Sequence, residues 1–383
     1  MHRKRLILSI FVLLTASAAS AQSRVSTIPV FAHFAGWWTV PGQWPIAGSM
    51  PLLRDNPAGG YTSSNPEIIK AQNALMAARG VTPAVSWWAW DTFTDDKFLS
   101  TYLSIPGPQI GILYEAVGPG RMKQDANGRV NVADPANNAE IFVSDMQHLQ
   151  EQFFNKYPDR FFRIDGRPVV FIWISHGFDG PFDQIIARAR QRASFFLWGS
   201  DFGVPFGPRP GMETVVRGMD AITSYSFYDP SRYGIEMPED FLTDFKNSIP
   251  EWRKWLAANA PNTRLILPMQ FSYDETRIPN RRGLYFRSSP EMARKYARLV
   301  RDIITDPCGS GVLPYGYVTS WNEHVEGSAL EPREVSREDQ QRGFTPTTYL
   351  DAVSDTFLAV SPWEDQDRTC DGDERGKDPA GGN

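Results

Sequence analysis

The sequence predicts a single (β/α)₈ barrel, in which eight parallel strands alternate with eight helices. Eight short runs rich in β-branched and aromatic residues recur along the 383 residues, and amphipathic segments lie between them. Most runs are continuously hydrophobic, as strands covered on both faces should be. A barrel of this kind needs about 250 residues and tolerates insertions, which fits the length of the chain.

The eight runs mark the predicted strands. They begin at Val30, Val81, Gln109, Pro168, Ser194, Asp220, Arg264 and Gly316. A doubly wound parallel sheet is the alternative fold, and it would prefer a glycine-rich phosphate-binding turn after the first strand. The segment FAHFAG at 31–36 is not such a turn, so the barrel is favoured.

The helices between the runs are predicted from signals at their ends. Ser64 and Glu67 have the spacing of a capping box, Pro66 lies in the first turn, and Gly80 supplies the stop. The buried stripe of this helix is predicted to be Ile68, Ala71, Leu75 and Ala78. Further helices are predicted to begin at Pro135, at Ser289 with Pro290, and at Tyr349.

The N-terminus has the pattern of a secretory signal peptide. Arg3, Lys4 and Arg5 precede an apolar run at 6–14, and Ala19 and Ala21 form an A-x-A cleavage site. A membrane anchor needs about 20 apolar residues, and this run is shorter. We therefore expect cleavage after Ala21 and a secreted or periplasmic mature chain without a transmembrane segment.

The remaining chain is predicted to be one barrel domain, 22–362, followed by a tail at 363–383. The tail is acidic and glycine-rich, its acids lack the EF-hand spacing, and partial disorder is expected. Cys308 and Cys370 permit one disulfide in an oxidising compartment, or two buried thiols. Their spacing matches no Cys/His metal pattern, and neither a metal nor another cofactor is predicted.

The charge and the missing motifs exclude several functional classes. A formal net charge of −5 supplies no basic stripe, which argues against nucleic acid or an anionic membrane surface as a partner. No G-x-S-x-G elbow, Walker loop or H-E-x-x-H helix occurs in the sequence. The commonest hydrolase, nucleotide-binding and zinc-protease functions are thereby disfavoured.

Aromatic and acidic residues dominate the ends of the predicted strands, where a barrel of this class places its active site. Adjacent strand residues point to opposite faces, so one of Trp87 and Trp88 should face the barrel interior. Such a rim would offer an aromatic platform for the C–H faces of a sugar. His33 has two interpretations, as a hydrogen-bonding partner of the substrate or as a satisfied interior imidazole.

The sharpest local pattern is SWNEHVEGSALEP at 320–332, after the last strand. Glu323 and Glu326 are three residues apart and can enter one pocket only if the chain turns between them, which Gly327 makes plausible. Two neighbouring carboxyls cannot both ionise easily, and this divides them into the proton donor and the base that glycoside cleavage requires. The alternative is that they are surface glutamates beside Arg333, but Trp321 and Asn322 are unusual for a solvated loop.

This pattern resembles glycoside hydrolase family 99 and the family-99-like barrels of the endo-α-mannosidase type. The usual motif there is N-E-W-H-E-G with a downstream I-E-P or L-E-P. The resemblance extends along most of the mature chain. It includes S-W-W at 86–88, I-L-Y-E-A at 112–116, G-R-P at 166–168, and the loop from Tyr273 to Arg277 with the following 280–283.

The resemblance implies roles for individual residues. Glu326 would be the general acid/base, and Glu323 would deprotonate the 2-hydroxyl of the sugar, so that a retaining reaction passes through a 1,2-anhydro sugar. Glu115 would hold the sugar next to the scissile bond, with Tyr273 or Arg277. The whole set of predicted substrate-binding residues is Glu115, Trp87, Trp88, His33, Tyr225, Tyr273, Arg277, Trp321, Asn322 and His324. His324 and Val325 stand where the family prefers Trp and His.

The expected function is a secreted, retaining glycoside hydrolase that acts on an α-linked polysaccharide or glycan. A mannose-configured sugar is implied by the resemblance alone. Two alternatives remain, a non-catalytic carbohydrate-binding barrel and a family-99-like protein of polysaccharide biosynthesis or modification. The signal peptide argues against the last, because activated sugar donors are cytoplasmic.

Overall fold

The structure is a computed structural model, and its described residues are 28–36, 62–87, 95–117, 121–133, 138–173, 177–200, 202–203, 206–276, 278, 281–306 and 311–358. The predicted signal peptide, the acidic tail, both cysteines, Trp88 and Arg277 lie outside these residues. Within them, no helix combines the length and the apolar character that crossing a membrane requires.

Eight parallel strands form a closed barrel, which confirms the predicted fold. They are β1 (Val30–Phe34), β2 (Val81–Trp87), β3 (Gly111–Tyr114), β4 (Arg167–Ile172), β5 (Phe196–Gly199), β6 (Ala221–Ile222), β7 (Arg264–Met269) and β8 (Val312–Val318). Each strand pairs with the next, and β8 pairs with β1 to close the ring. Each of the eight predicted runs overlaps one of these strands.

A helix follows every strand. The eight are α1 (Pro66–Ala78), α2 (Asp96–Ser104), α3 (Asn138–Leu149), α4 (Phe182–Arg190), α5 (Glu213–Gly218), α6 (Glu239–Asn259), α7 (Pro290–Ile304) and α8 (Thr348–Phe357). A π-helical segment, Gln150–Phe154, continues α3. An antiparallel hairpin of Ser272–Asp274 and Tyr285–Arg287 follows β7. The other short helices are Pro158–Arg160, Pro230–Tyr233 and Arg337–Gln341, and the other short strands are Val130–Asn131, Arg163–Ile164 and Phe178–Asp179.

The predicted stripe of α1 is wrong. Asn65 is the N-cap and its side chain accepts the N–H of Glu67 at 3.0 Å, so Ser64 is not the capping residue. The face that packs inward carries Ile69 and Met76, each fully buried, together with Gln72 and Asn73. Ala71 and Ala78 of the predicted stripe are exposed. Gly80 has φ +69°, as a glycine stop requires.

Two hydrophobic layers cover the barrel wall, one on its inner side and one on its outer side. Strand residues of one parity, such as Phe31, Phe171, Trp198 and Tyr317, fill the barrel interior. Residues of the other parity pack between the strands and the helices. The rings of Phe171 and Trp198 lie 4.1 Å apart between centroids, so aromatic side chains fill the interior, and a substrate site is expected at the open, C-terminal end.

Candidate active site

A tight turn follows β8 and carries both glutamates of the N-E-x-x-E-G motif. The N–H of Glu323 donates to Ser320 Oγ at 3.1 Å, and the N–H of Ser328 donates to the Glu323 carbonyl at 3.1 Å. Gly327 has φ +59°, a conformation that favours glycine. The chain therefore turns where the spacing of Glu323 and Glu326 required it to turn.

The hairpin after β7 holds this turn in place. The N–H of Asp274 donates to the Glu326 carbonyl at 2.6 Å, and the Ser272 hydroxyl donates to the Gly327 carbonyl at 2.6 Å. A Cβ on Gly327 would lie 3.1 Å from the Cβ of Asp274. The backbone that carries Glu326 is thus packed tightly against the residues that follow Tyr273.

Three carboxyls affect one another in this site. Burial raises the pKa of Glu323 well above its ordinary value, and the charges of Glu326 and Glu115 add to the rise. Burial, with the charge of Glu326, raises the pKa of Glu115 to about 8. Glu115 and Glu323 are each only 8% exposed. Burial therefore favours the protonated form of each carboxyl, and the ionisation of Glu326 affects that of Glu323 and Glu115.

Glu326 differs from the other two because phenol hydroxyls donate to it and a guanidinium lies nearby. Burial raises the pKa of Glu326, but hydrogen bonds from Tyr225 and Tyr273 and the charge of Arg281 oppose the rise. The Tyr225 hydroxyl donates to Glu326 Oε2 at 2.9 Å. Burial raises the pKa of both tyrosines, so they remain donors. These donors stabilise the ionised form of Glu326.

Tyr225 is itself held from two sides. The Thr319 hydroxyl donates to the Tyr225 carbonyl at 2.7 Å. The ring of His33 stacks on the phenol ring at 5.4 Å between centroids. Burial lowers the pKa of His33 to about 3, so this imidazole is neutral at physiological pH, and its Nε2 lies 3.2 Å from the Tyr317 hydroxyl. His33 thus lies under Tyr225 in the barrel interior.

The structure does not bring Trp87 to the carboxyls, and its predicted contact with substrate needs correction. Trp87 is fully buried in the layer between strands and helices. Its indole N–H donates to Asp96 Oδ1 at 3.0 Å, and the Arg121 guanidinium lies over its ring at 5.2 Å. Because successive strand residues point to opposite faces, one tryptophan of the pair at 87–88 had to point away from the barrel interior, and this residue is Trp87.

Trp321 and Asn322 connect the turn after β8 to the surrounding barrel. Trp321 is fully buried in the outer layer. Asn322 Oδ1 accepts the N–H of Ala35 at 2.7 Å, and its Nδ2 donates to the Ala35 carbonyl at 3.0 Å. Asn322 therefore ties the loop after β8 to the end of β1, and its bonds are to backbone.

His324 connects the same turn to helix α1. Its buried imidazole Nε2 pairs with Glu331 Oε1. Glu331 is the acid of the L-E-P segment, and its Oε2 accepts the Gln72 side chain of α1 at 2.9 Å. Contacts of Glu331 thus connect the downstream L-E-P motif to the turn after β8 and to helix α1, and spacing alone does not reveal them.

Two residues near the carboxyls were not predicted. Glu275 is 3% exposed, and its Oε1 accepts the N–H of Leu284 at 3.2 Å. Its Oε2 lies 3.1 Å from the Tyr273 hydroxyl, so Glu275 and Glu326 compete for the single proton of that phenol. Arg281 lies close enough to favour the ionised form of Glu326. Both belong to the segment quoted for the resemblance, and the two-residue spacing of Tyr273 and Glu275 was the available signal. In the described part of the chain, no three His, Cys, Asp or Glu side chains form a metal-binding group.

Three solved structures share this fold. The endo-α-mannosidase of glycoside hydrolase family 99 from Bacteroides thetaiotaomicron, in complex with bis-tris propane, is 18% identical over 85% of this chain and 95% of that chain, with a TM-score of 0.59. A second structure of the family-99 endo-α-mannosidase from the same organism is 17% identical over 86% of this chain and 96% of that chain, with a TM-score of 0.59. A glycoside hydrolase-like protein is 15% identical over 87% of this chain and 94% of that chain, with a TM-score of 0.63. No family model and no curated protein matches the sequence.

The chain therefore has the fold of the family-99 endo-α-mannosidase structures over most of its own length and most of theirs. The resemblance predicted from the N-E-x-x-E-G motif is confirmed at the level of the fold.

Proposed function

We propose that the protein is a secreted, retaining glycoside hydrolase that cleaves an α-linked polysaccharide or glycan. The observation that carries the proposal is the single buried site in which the charge of Glu326 raises the proton affinity of Glu323 and of Glu115, and the charge of Glu115 adds to the rise at Glu323. Buried carboxyls with raised pKa values cluster at catalytic sites. The surrounding phenols make the arrangement suited to acid–base chemistry on a neutral polyol.

Glu326 is assigned the general acid/base. A proton donor must be protonated before the reaction and stable as a carboxylate after it. Burial favours the protonated form of Glu326, and the donated hydrogen bonds of Tyr225 and Tyr273 await the carboxylate. Such donors, fixed before charge develops, lower the barrier to proton transfer.

Glu323 is assigned the base that takes the proton of the sugar 2-hydroxyl, as the resemblance implies. Its raised pKa favours the protonated form at rest, but it also makes the carboxylate, once formed, a stronger base than that of an ordinary glutamate. The oxygen O2 then bonds to C1 while the bond from C1 to the leaving oxygen breaks, and Glu326 gives its proton to that oxygen. Water next opens the 1,2-anhydro ring at C1, with Glu326 taking its proton and Glu323 returning one to O2. Two displacements at C1 give retention of configuration.

Substrate class and location follow from the sequence. The resemblance supports a mannose-configured sugar next to Glu115. The basic start, apolar run and A-x-A site at 1–21 support export, with the polymer met outside the cytoplasm.

Glu323→Gln and Glu326→Gln test the proposal, with the exposed Glu338→Gln as the matched control. We expect native and control proteins to release reducing ends from a panel of α-mannans, bacterial capsules and plant or fungal glycans. Both site variants should still bind the glycan that the native protein cleaves, and their turnover of it should fall by about 10³-fold or more. Glu326→Gln should recover turnover on a glycoside with an activated aryl leaving group, because that group needs no acid, whereas Glu323→Gln should not. Binding by the native chain without cleavage would indicate a carbohydrate-binding barrel.

A further inference from the structure

Gln270 directly follows β7 and is 1% exposed. Among the described residues, neither atom of its side-chain amide has a hydrogen-bond partner. A buried polar group left unpaired destabilises the folded protein. Such groups are rare in native proteins, so an unpaired amide at the open end of the barrel points to a molecule that binds there.

The alternation along β7 directs Gln270 into the barrel. Leu265, Leu267 and Met269 pack in the layer between strands and helices, whereas Ile266 packs in the barrel interior. Successive strand residues point to opposite faces. Gln270 has the parity of Ile266 and therefore faces the interior.

The strand register gives the height of Gln270 in the barrel. In a barrel with shear 8, residues of equal height shift by one position from each strand to the next. When the observed registers are extended past the strand ends with this shift, they lead from Glu115 across β4, β5 and β6 to Gln270, directly after β7. Continued across β8, β1 and β2, they return to Glu115, so the layer closes on itself.

Gln270 therefore faces Glu115 across the mouth of the barrel, because β3 and β7 are four strands apart. On one side of it, Tyr225 follows β6, one residue lower by the same register. On the other side, the turn with Glu323 and Glu326 follows β8. The amide thus belongs to the wall between the tyrosine and the catalytic turn.

On the basis of the proposed function, we propose that Gln270 is a substrate-binding residue whose amide hydrogen-bonds adjacent hydroxyls of the sugar held between Glu115 and the Glu323–Glu326 turn. A primary amide supplies two donors and an acceptor without charge. That combination matches a pair of vicinal hydroxyls, each of which both donates and accepts. The carboxyls and phenols described above supply no neutral group of this kind.

Thr223 provides a matched control. It directly follows β6 and is fully buried, and its hydroxyl also has no partner among the described residues. It precedes Tyr225 by two residues on the same wall and thus lies deeper in the barrel, beneath the layer of the carboxyls. Thr223→Val removes an unpaired polar atom without touching the sugar.

The experiment compares native protein, Gln270→Met and Thr223→Val, using the glycan panel of the previous section. Cleavage, equilibrium binding and thermal unfolding are measured for each. For Gln270→Met we expect kcat/KM and affinity to fall by about 10- to 100-fold, because sugar hydroxyls lose their partner. Its Tm should stay equal or rise, because an unpaired amide has been removed. Thr223→Val should keep native kcat/KM within about twofold.

The outcomes separate this inference from the proposed function. If the native chain cleaves a glycan and Gln270→Met equals it, or loses activity together with several degrees of Tm, Gln270 does not bind substrate and the hydrolase assignment stands. If the native chain binds a glycan without cleaving it, weaker binding by Gln270→Met still supports the inference. A native chain that binds no glycan of the panel overturns both.

Discussion

Replacing Tyr225 by phenylalanine removes one hydroxyl from the site and leaves the ring that stacks on His33. The hydroxyl donates to Glu326 Oε2 at 2.9 Å. A hydrogen bond to a charged group contributes about 1.5–3 kcal/mol. Because the bond favours the ionised carboxyl, its loss raises the pKa of Glu326, by about one to two pH units at 1.36 kcal/mol per unit.

Two kinetic changes should follow. The general acid works only while protonated, so the alkaline limb of the kcat/KM profile, where activity is lost as pH rises, should move upward by about one to two units. The carboxylate formed in the transition state also loses a donor, so kcat at the optimum should fall by about 10- to 100-fold.

The assay is the pH dependence of glycan cleavage by native protein and Tyr225→Phe. Tyr228→Phe is the matched control, because the Tyr228 hydroxyl donates to the Gly234 carbonyl at 2.9 Å and not to a carboxyl. The control should keep the native profile. An alkaline limb that stays in place or moves downward in Tyr225→Phe would refute the acid role of Glu326.

Three further predictions concern folding and the limits of the site. Because the pKa of Glu115 is raised from 4.5 to about 8 on folding, its contribution to stability is fully present below about pH 4.5 and is lost as pH rises through about 8. Glu115→Gln should flatten this decline in urea unfolding between pH 5 and 8, and an unchanged slope would contradict it. Gly327→Ala should lose more stability than Gly283→Ala by about 1 kcal/mol or more. Both glycines have positive φ, but only a Cβ at position 327 would contact Asp274. Equal losses of stability in thermal unfolding would contradict that contact. Trp87→Phe should lower the free energy of unfolding by about 1 kcal/mol, because the hydrogen bond to Asp96 is lost, and it should leave kcat/KM unchanged. A loss of affinity for glycan in this variant would show that Trp87 does contact the substrate.

The fold could be predicted because its dominant signal is local. A strand buried on both faces is hydrophobic without interruption, and each run in the sequence overlaps a strand of the barrel. Helix α7 was equally readable, since Ser289 caps it by accepting the N–H of Met292 at 3.1 Å. The face of α1 was harder, because Ile68 with Leu75 and Ile69 with Met76 form two apolar stripes one residue apart, and only packing selects the second.

The site was predictable only where one short segment contains it. Glu323 and Glu326 share a turn that Gly327 permits, so their convergence followed from spacing. In contrast, the bond of Glu331 to Gln72 joins residues 259 positions apart, and no local pattern encodes it. Strand parity placed Trp87 outward and Gln270 inward, and parity requires the register of the finished barrel.

The central claim is that Glu323 and Glu326 act on one sugar ring, and a crystal structure of Glu326→Gln with the glycan that native protein cleaves tests it most directly. We expect the 2-hydroxyl of one ring within hydrogen-bond distance of Glu323, with the glycosidic oxygen of the same ring at the side-chain amide of residue 326. A ring that reaches only one of the two positions, or a glycan bound away from the turn after β8, would contradict it.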